Sequence, residues 1–325
     1  MLKKTNLLLE KAMPYMIPLI VCLGVTVWSG MAELDWIVKW IFAFISFSSC
    51  LSLNLFHVKQ AFSRPVPIVV CLIILQLFIP SLAYLSGLIF FPDDIYMIAG
   101  LVLAFTIPTG VITLMWTGIF GGNTGLTLAI VLINTILSPL LVPLTLKFLV
   151  GTQVSMDALG LMNGLFWMIV LPSLCGIFFN RVTGGSSKKL GTTLAPFSKI
   201  AIMTVILINS AVVAPFFQTI DATLIFLFLL VWTISSIAYL MGLFIPCLLK
   251  WEKETAISLM YNSGMRNTGV GASLAVTFFP PTTALPVVLA IIFQQFLAVL
   301  AGKFVHFYFK REKKWIGLLD LNRAK

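Results

Sequence analysis

Apolar runs of about twenty residues recur along the whole chain, and charged residues fall almost only in the gaps between them. That is the length an α-helix needs to cross the hydrocarbon of a bilayer. Ten such segments can be read, at 13–31, 36–56, 67–90, 95–118, 123–149, 158–180, 199–216, 220–248, 254–279 and 284–309. Charged residues make up 10% of the 325, against about 25% in a soluble domain. The polar stretches, roughly 15–20 residues at most, are too short to build a core of their own. The expected fold is an all-α, multi-pass membrane protein with no soluble domain.

The charges give an orientation. With a cytoplasmic N-terminus, Lys3, Lys4, Lys11, Lys59, Arg64, Arg181, Lys188, Lys189, Lys199, Lys250, Lys253, Lys303 and the basic tail from Lys310 share one side. The other side keeps only Lys39 and Lys147, beside Glu33, Asp35, Asp93, Asp94, Asp157 and Asp221. The positive-inside rule then places both termini in the cytoplasm, with the chain in the plasma membrane. On this reading the net charge of +10 is an orientation signal, not a surface for nucleic acid. The run from Met13 lacks an Ala-x-Ala-like cleavage site and is expected to be the first helix, not a signal peptide. The longest internal loop, 181–199, with Gly184-Gly185-Ser186-Ser187-Lys188-Lys189, reads as a flexible connector between two halves. By count the segments divide five and five, 1–152 and 153–325. An odd number per half makes the second half enter from the opposite side, an inverted repeat.

One charge does not sort with the rest. Arg266 lies in Tyr261-Asn262-Ser263-Gly264-Met265-Arg266-Asn267-Thr268-Gly269, inside the ninth segment. A guanidinium stays protonated, and at mid-membrane it costs on the order of 3 kcal/mol on insertion scales. No acidic residue of the predicted segments lies at a depth to neutralise it. The fourth segment is interrupted too, at Pro108-Thr109-Gly110 followed by Thr113. Proline removes a donor and glycine weakens a helix. Unwound backbone survives at this depth only where it is buried in protein or lines a cavity. Two broken segments in corresponding places are a pointer to a binding site, and an unpaired cation there is a seat for an anion.

The remaining polar residues say less. Gln294 and Gln295 are adjacent and face different directions, so one is expected to meet the site and the other a neighbouring helix. Gln76, Thr127 and Asn134 can hydrogen-bond between helices, the usual fate of single polar residues. Asn163 and Asn209 read as packing residues. Gly121-Gly122-Asn123-Thr124-Gly125 lacks the lysine of a phosphate loop and reads as a tight connector with an N-cap. Ser138-Pro139 and Pro143 are expected to bend the fifth segment. The five cysteines follow no metal-ligand spacing, and His57 and His306 sit near segment ends. No catalytic set, metal site or cofactor is expected, and no protein partner beyond the bilayer.

Several of these stretches resemble the bile acid:sodium symporter family. They are Ile107-Pro108-Thr109-Gly110, Gly122-Asn123, Leu137-Ser138-Pro139-Leu140-Leu141-Val142-Pro143 and Ser263-Gly264-Met265-Arg266-Asn267-Thr268-Gly269. The resemblance implies two inverted five-helix repeats. Helices 3–5 and 8–10 would form a core, helices 1, 2, 6 and 7 a panel, with broken helices 4 and 9 crossing in the core. It also implies sodium sites, with an acidic position falling on Asn262 and a glutamine position on Arg266. Oxygen donors would fall on Thr113, Thr127 and, within one residue, Gln76; two more fall on Leu114 and Val131. A histidine and an asparagine of the tenth helix correspond to Gln294 and Gln295. The site has thus lost a carboxylate and gained a cation. Na⁺ at about 5 Å from Arg266 would be repelled by roughly 3 kcal/mol at an effective dielectric of 20. Sodium coupling is therefore expected to be reduced or absent, with the guanidinium in one ion's place.

The function expected is secondary transport of a small organic anion, bile-acid-like, keto-acid or sulfonate in type. Arg266, Asn267, Thr268, Thr109, Gln294 and Gln295 would meet the substrate. Asn262, Ser263, Met265, Thr113, Thr127 and Gln76 would be the ion site or its remnant. Pro108, Gly110, Gly264 and Gly269 would make the helix breaks. The rivals are a conventional sodium-coupled symporter, an anion channel, an intramembrane enzyme, a receptor and an arsenite exporter. A channel needs rings of charge along a pore, and an enzyme needs a paired acid and base. The arsenite exporters place a thiol at the fourth-helix break, where Thr106 to Thr117 holds none.

Overall fold

The structure, a computed structural model, describes residues 2–51, 65–151, 154, 156–218 and 221–323. The end of the second expected segment (52–56), His57, Lys59, Arg64, the expected boundary at 152 and 153, and position 220 lie outside the described residues. All regular structure among the described residues is helical. The helices are α1 (Leu2–Thr26), α2 (Asp35–Cys50), α3 (Pro65–Phe90), α4 (Ile95–Thr106), α5 (Thr113–Ile119) and α6 (Thr124–Leu149). They continue as α7 (Ala158–Val182), α8 (Ser187–Val212), α9 (Ala222–Leu248), α10 (Lys253–Gly264), α11 (Thr268–Phe278) and α12 (Pro281–Arg323). Six of these, α3, α6, α7, α8, α9 and the stretch Pro281–Phe309 of α12, are long and apolar enough to cross a membrane. Tyr15–Thr26 and Ser29–Cys50 meet at 100° and are long and apolar enough only when taken together, which gives a seventh span if the bent pair is counted as one.

Helix starts follow local chemistry. Asp94, Asn123, Asp157 and Asp221 each accept a hydrogen bond from the backbone N–H three residues on, at 2.8–2.9 Å. Each such cap is worth about 1 kcal/mol. Three of them are acids that the charge sorting assigned to one set of loops, so those carboxylates also start helices.

The loop 181–199 is not a flexible connector. α8 begins at Ser187, and a turn through Gly184 and Gly185, both at positive φ, joins it to α7. The Gly185 N–H returns to the Asn180 carbonyl and the Gly184 N–H to that of Arg181, a glycine-closed helix end. Lys188, Lys189 and Lys199 belong to the helix that follows. The turn also lies between the sixth and seventh segments, not at the boundary between fives.

Two wide turns, at Ile74–Phe78 and Phe166–Val170, interrupt α3 and α7, and each is followed two residues on by proline, Pro80 and Pro172. Inside the first, the Ile79 N–H reaches back five residues to Ile74. The next such bond would run from residue 80 to the Leu75 carbonyl, and Pro80 has no N–H to make it. A buried carbonyl is left open, which in hydrocarbon demands another donor.

The most enclosed elements are the short ones. Residues from Met97 to Thr106 in α4 and from Thr255 to Gly264 in α10 are all buried, whereas α3, α7 and α9 keep large apolar side chains on the outside. With no side chain of these stretches facing outward, α4 and α10, the first parts of the two interrupted segments, lie at the centre. Gly264 and Gly269 do not make the breaks: they are the last residue of α10 and the second of α11. The unwound residues are Ile107–Ile112 and Met265–Asn267. Gly264 instead allows close approach, since a Cβ there would fall onto the ring of Tyr239.

Gly264→Ala is expected to destabilise by about 1–3 kcal/mol, the cost of overpacking. Gly110→Ala, whose Cβ would sit 3.6 Å from the Arg266 carbonyl oxygen, is expected to change little. Melting of the detergent-purified variants measures both.

Candidate functional site

The two breaks meet. The Asn267 N–H donates to the Pro108 carbonyl at 2.8 Å, and the Thr109 hydroxyl lies 3.4 Å from the Asn262 carbonyl. Extended backbone at Ile107 (φ −56, ψ 144) and Met265 (φ −103, ψ 128) opens each helix there. The Asn267 donor, which a continuous helix would use internally, is thereby turned toward the other break.

A crevice enclosing about 980 Å³ of empty space, its open mouth included, lies beside this crossing. One wall comes from α1, α2, α7 and α8 and is largely apolar, with Met13, Ile17, Phe42, Ile45, Ile169 and Ile206, although Ser46, Ser49 and Ser173 add hydroxyls to it. The other wall is built from the two breaks, α6 and α12. All six residues expected to meet a substrate line it: Thr109, Arg266, Asn267, Thr268, Gln294 and Gln295. Gly110 and Gly269 line it as well. Among the residues whose side chains are described, no acidic one does.

The residues expected to hold an ion lie behind this wall, not on it. Asn262, Ser263, Met265, Thr113 and Thr127 are buried. The Asn262 amide N–H donates to the Ser258 carbonyl at 2.8 Å, while its Oδ1 is buried without a partner, as is the Thr113 hydroxyl. The Thr127 hydroxyl is 3.2 Å from that of Thr117. Ser263 Oγ lies 3.8 Å from Cys71 Sγ. Among the described residues, no three His, Cys, Asp or Glu side chains come together as metal ligands.

Arg266 spans the two regions. Its backbone N–H donates to Gln294 Oε1 at 3.2 Å on the crevice side. The side chain runs inward, 3% exposed overall, and Nη2 donates to the Leu75 carbonyl at 3.4 Å. That is the carbonyl freed by Pro80. Nε and Nη1 are buried without partners, and the chain has no acidic residue between Glu254 and Glu312. Among the described groups, the one hydrogen-bond partner of the guanidinium is thus the Leu75 carbonyl.

Gln76 and Asn134 hydrogen-bond between helices, as expected of single polar residues, while their link to the first break and the partners of Trp116 and Asn209 were not legible. Gln76 donates to Asn134 Oδ1 at 2.7 Å and to the Thr106 carbonyl at 3.3 Å, and Asn134 donates to Thr109 Oγ1 at 3.3 Å. This relay ties α3 and α6 to the first break. Trp116 donates its indole N–H to Gln295 Oε1 at 3.0 Å. Both tenth-segment glutamines therefore use their carbonyl ends within the wall, and both line the crevice. Asn209, expected only to pack, donates to the Gly269 carbonyl at 3.1 Å from α8. Pro80, placed five residues after Leu75, was the one sequence signal for the acceptor of Arg266.

The profile of the Sodium Bile acid symporter family matches residues 40–220 of the chain. The chain belongs to that family. It is also 43% identical over 291 residues to a Bacillus subtilis (strain 168) protein described as uncharacterized protein YbaS, covering 89% of this chain and 95% of that one. It is 25% identical to the uncharacterized sodium-dependent transporter YocS of the same organism, over 77% of this chain and 78% of the other. A chloroplastic protein of Arabidopsis thaliana, the probable sodium/metabolite cotransporter BASS1, is 25% identical over 78% of this chain and 62% of its own length. The family is one of sodium-dependent transporters, not enzymes, and the six long apolar helices of this chain fit a multi-pass membrane protein.

Asn134→Leu is expected to cost about 1–3 kcal/mol, because it removes a partner from Gln76 and Thr109 in a buried setting. Gln76→Leu/Asn134→Leu should cost less than the sum of the single changes, since the apolar pair leaves fewer orphaned groups. A double-mutant cycle on unfolding in detergent measures the difference.

Proposed function

We propose that the protein is a secondary transporter of small organic anions in which the Arg266 guanidinium takes the place of one transported cation. The carrying observation is a guanidinium 3% exposed, bonded to a single carbonyl, with no acidic partner, at the meeting of two helix breaks. A substrate anion would sit in the crevice. There Thr109, Asn267, Thr268, Gln294 and Gln295 supply polar groups, the first turn of α11 presents its positive end, and the Arg266 charge acts from behind the wall. Asn262, Ser263, Met265, Thr113, Thr127 and Gln76 would be what remains of an ion site, with Asn262 Oδ1 and the Thr113 hydroxyl open to a small cation or a water. The apolar wall opposite suits the hydrophobic part of a bile-acid-like, keto-acid or sulfonate molecule.

The architecture belongs to the same proposal. Ten spans arise if the bent pair α1 and α2 counts as two and each interrupted segment, α4–α5 and α10–α11, counts as one. Halves of five, 1–152 and 153–325, then place the breaks in corresponding positions. The crevice lies between helices assigned to a panel (1, 2, 6 and 7 of the ten) and those assigned to a core (3–5 and 8–10). Core would move against panel to expose the site to either side of the plasma membrane, with both termini cytoplasmic. Conventional sodium coupling is the competing reading.

The test is thermal stability of the detergent-purified protein with taurocholate, pyruvate and related anions, in sodium and in choline, beside Arg266→Ala. A ligand at a hundred times its dissociation constant stabilises by about 2.7 kcal/mol. Stabilisation in both salts, lost in the variant, is expected. A response seen only in sodium would restore the conventional coupling.

A further inference from the structure

A transported cation binds and leaves on every cycle, so its charge is added to what is carried. The Arg266 guanidinium does neither. It is permanently protonated, covalently held, and hydrogen-bonded to Leu75 at 3.4 Å. Among the residues whose side chains are described, no acidic one lines the crevice, and none falls between Asp35 and Asp93, Asp94 and Asp157, Asp157 and Asp221, or Glu254 and Glu312. The helices that form the site carry acidic residues only toward their ends, Glu10 in α1, Asp35 at the start of α2, Glu254 near the start of α10 and Glu312 and Asp320 late in α12. An empty site carries one positive charge, and a site holding a monovalent anion is close to neutral.

We propose that this arrangement makes the protein a voltage-driven exporter of organic monoanions. The inference rests on the reading that Arg266 stands in for a transported cation and that the interrupted helices move during the cycle. Over one complete cycle Arg266 travels out and back, and its contribution cancels. The net charge moved is that of the substrate alone. An inside-negative membrane then drives the anion outward, by about 2.3 kcal/mol per elementary charge per 100 mV, a gradient of roughly fiftyfold. A carrier binding one free sodium ion with the same anion would move no net charge. One binding two would drive the anion inward. Exchanging a carried cation for a tethered one thus changes the direction in which the membrane potential acts. Within the cycle, the electrically active step is the return of the empty site.

The empty-site step can be read without knowing the substrate. Purified protein in a planar bilayer or on a sensor-supported membrane, in choline with no sodium and no organic anion, is stepped between voltages of opposite sign. A transient, saturating charge movement of a fraction of one elementary charge per protein is expected. It should persist in Arg266→Lys and vanish in Arg266→Gln, with melting curves showing that both variants are folded. No transient in the unaltered protein, a transient that requires sodium, or one of equal size in Arg266→Gln overturns the proposal. Direction is read from liposomes loaded with labelled taurocholate or pyruvate, with the potential set by potassium and valinomycin. Efflux should accelerate several-fold when the inside is negative and slow when it is positive; efflux indifferent to potential overturns the proposal. If neither probe is carried, that counts against the organic-anion reading, and the substrate-free charge movement decides this one.

Discussion

The contact between a buried guanidinium and one backbone carbonyl is the constraint around which this molecule is arranged. A charge that cannot be shed, placed where water is scarce, has to be met by dipoles. The Leu75 carbonyl is one of them, and it is available because a wide helical turn and Pro80 leave it without an internal donor. The ends of α4, α10 and α11 gather at the same place because both segments unwind there. The Asn267–Pro108 hydrogen bond pins one break to the other. Without that pinning, the Asn267 N–H and the Pro108 carbonyl would each lose the partner that the other break supplies.

The burial pattern follows from the same demand. Unwound chain cannot face lipid, so α4, α5, α10 and α11 must be enclosed by longer helices. Those outer helices are free to be one-sided, and they show it in the large apolar side chains left outside, such as Leu77 on α3, Phe178 on α7 and Leu229 on α9. Several polar residues inside are tied in chains, although among the described residues the Thr113 and Thr283 hydroxyls stand alone. Gln76, Asn134 and Thr109 form one, and Trp116 with Gln295 another. Each link removes a group whose isolation in the interior would cost about 1–3 kcal/mol.

Much of this was legible in the amino-acid order, and the exceptions share a cause. Pro108 and the Arg266-Asn267 pair announced two interruptions, because proline and charge are costly in a spanning helix whatever surrounds it. All six residues assigned to a substrate line one crevice, since they lie at or beside those interruptions. What could not be read was direction and neighbourhood. Nothing local says that the Arg266 side chain turns toward α3, or that Gly264 is needed because Tyr239 packs on it. Asn209 looked like packing because its partner, a backbone carbonyl of Gly269, leaves no trace in side-chain chemistry. The turn after α7 was misread for a different reason: two glycines suit a flexible linker and a tight helix end equally well, and composition does not separate them.

The partnership of Arg266 with Leu75 spans 191 positions of the chain, which bears on how the protein is made. The carbonyl is synthesised long before the guanidinium that needs it, and waits in α3 while most of the remaining helices are laid down. When α10 and the residues after it emerge, lipid offers Arg266 no dipole of comparable quality. The amino-terminal half therefore serves the carboxy-terminal half as a prefabricated receptor. Late entry of the most polar segment into an already assembled bundle is the order of biogenesis that this contact favours.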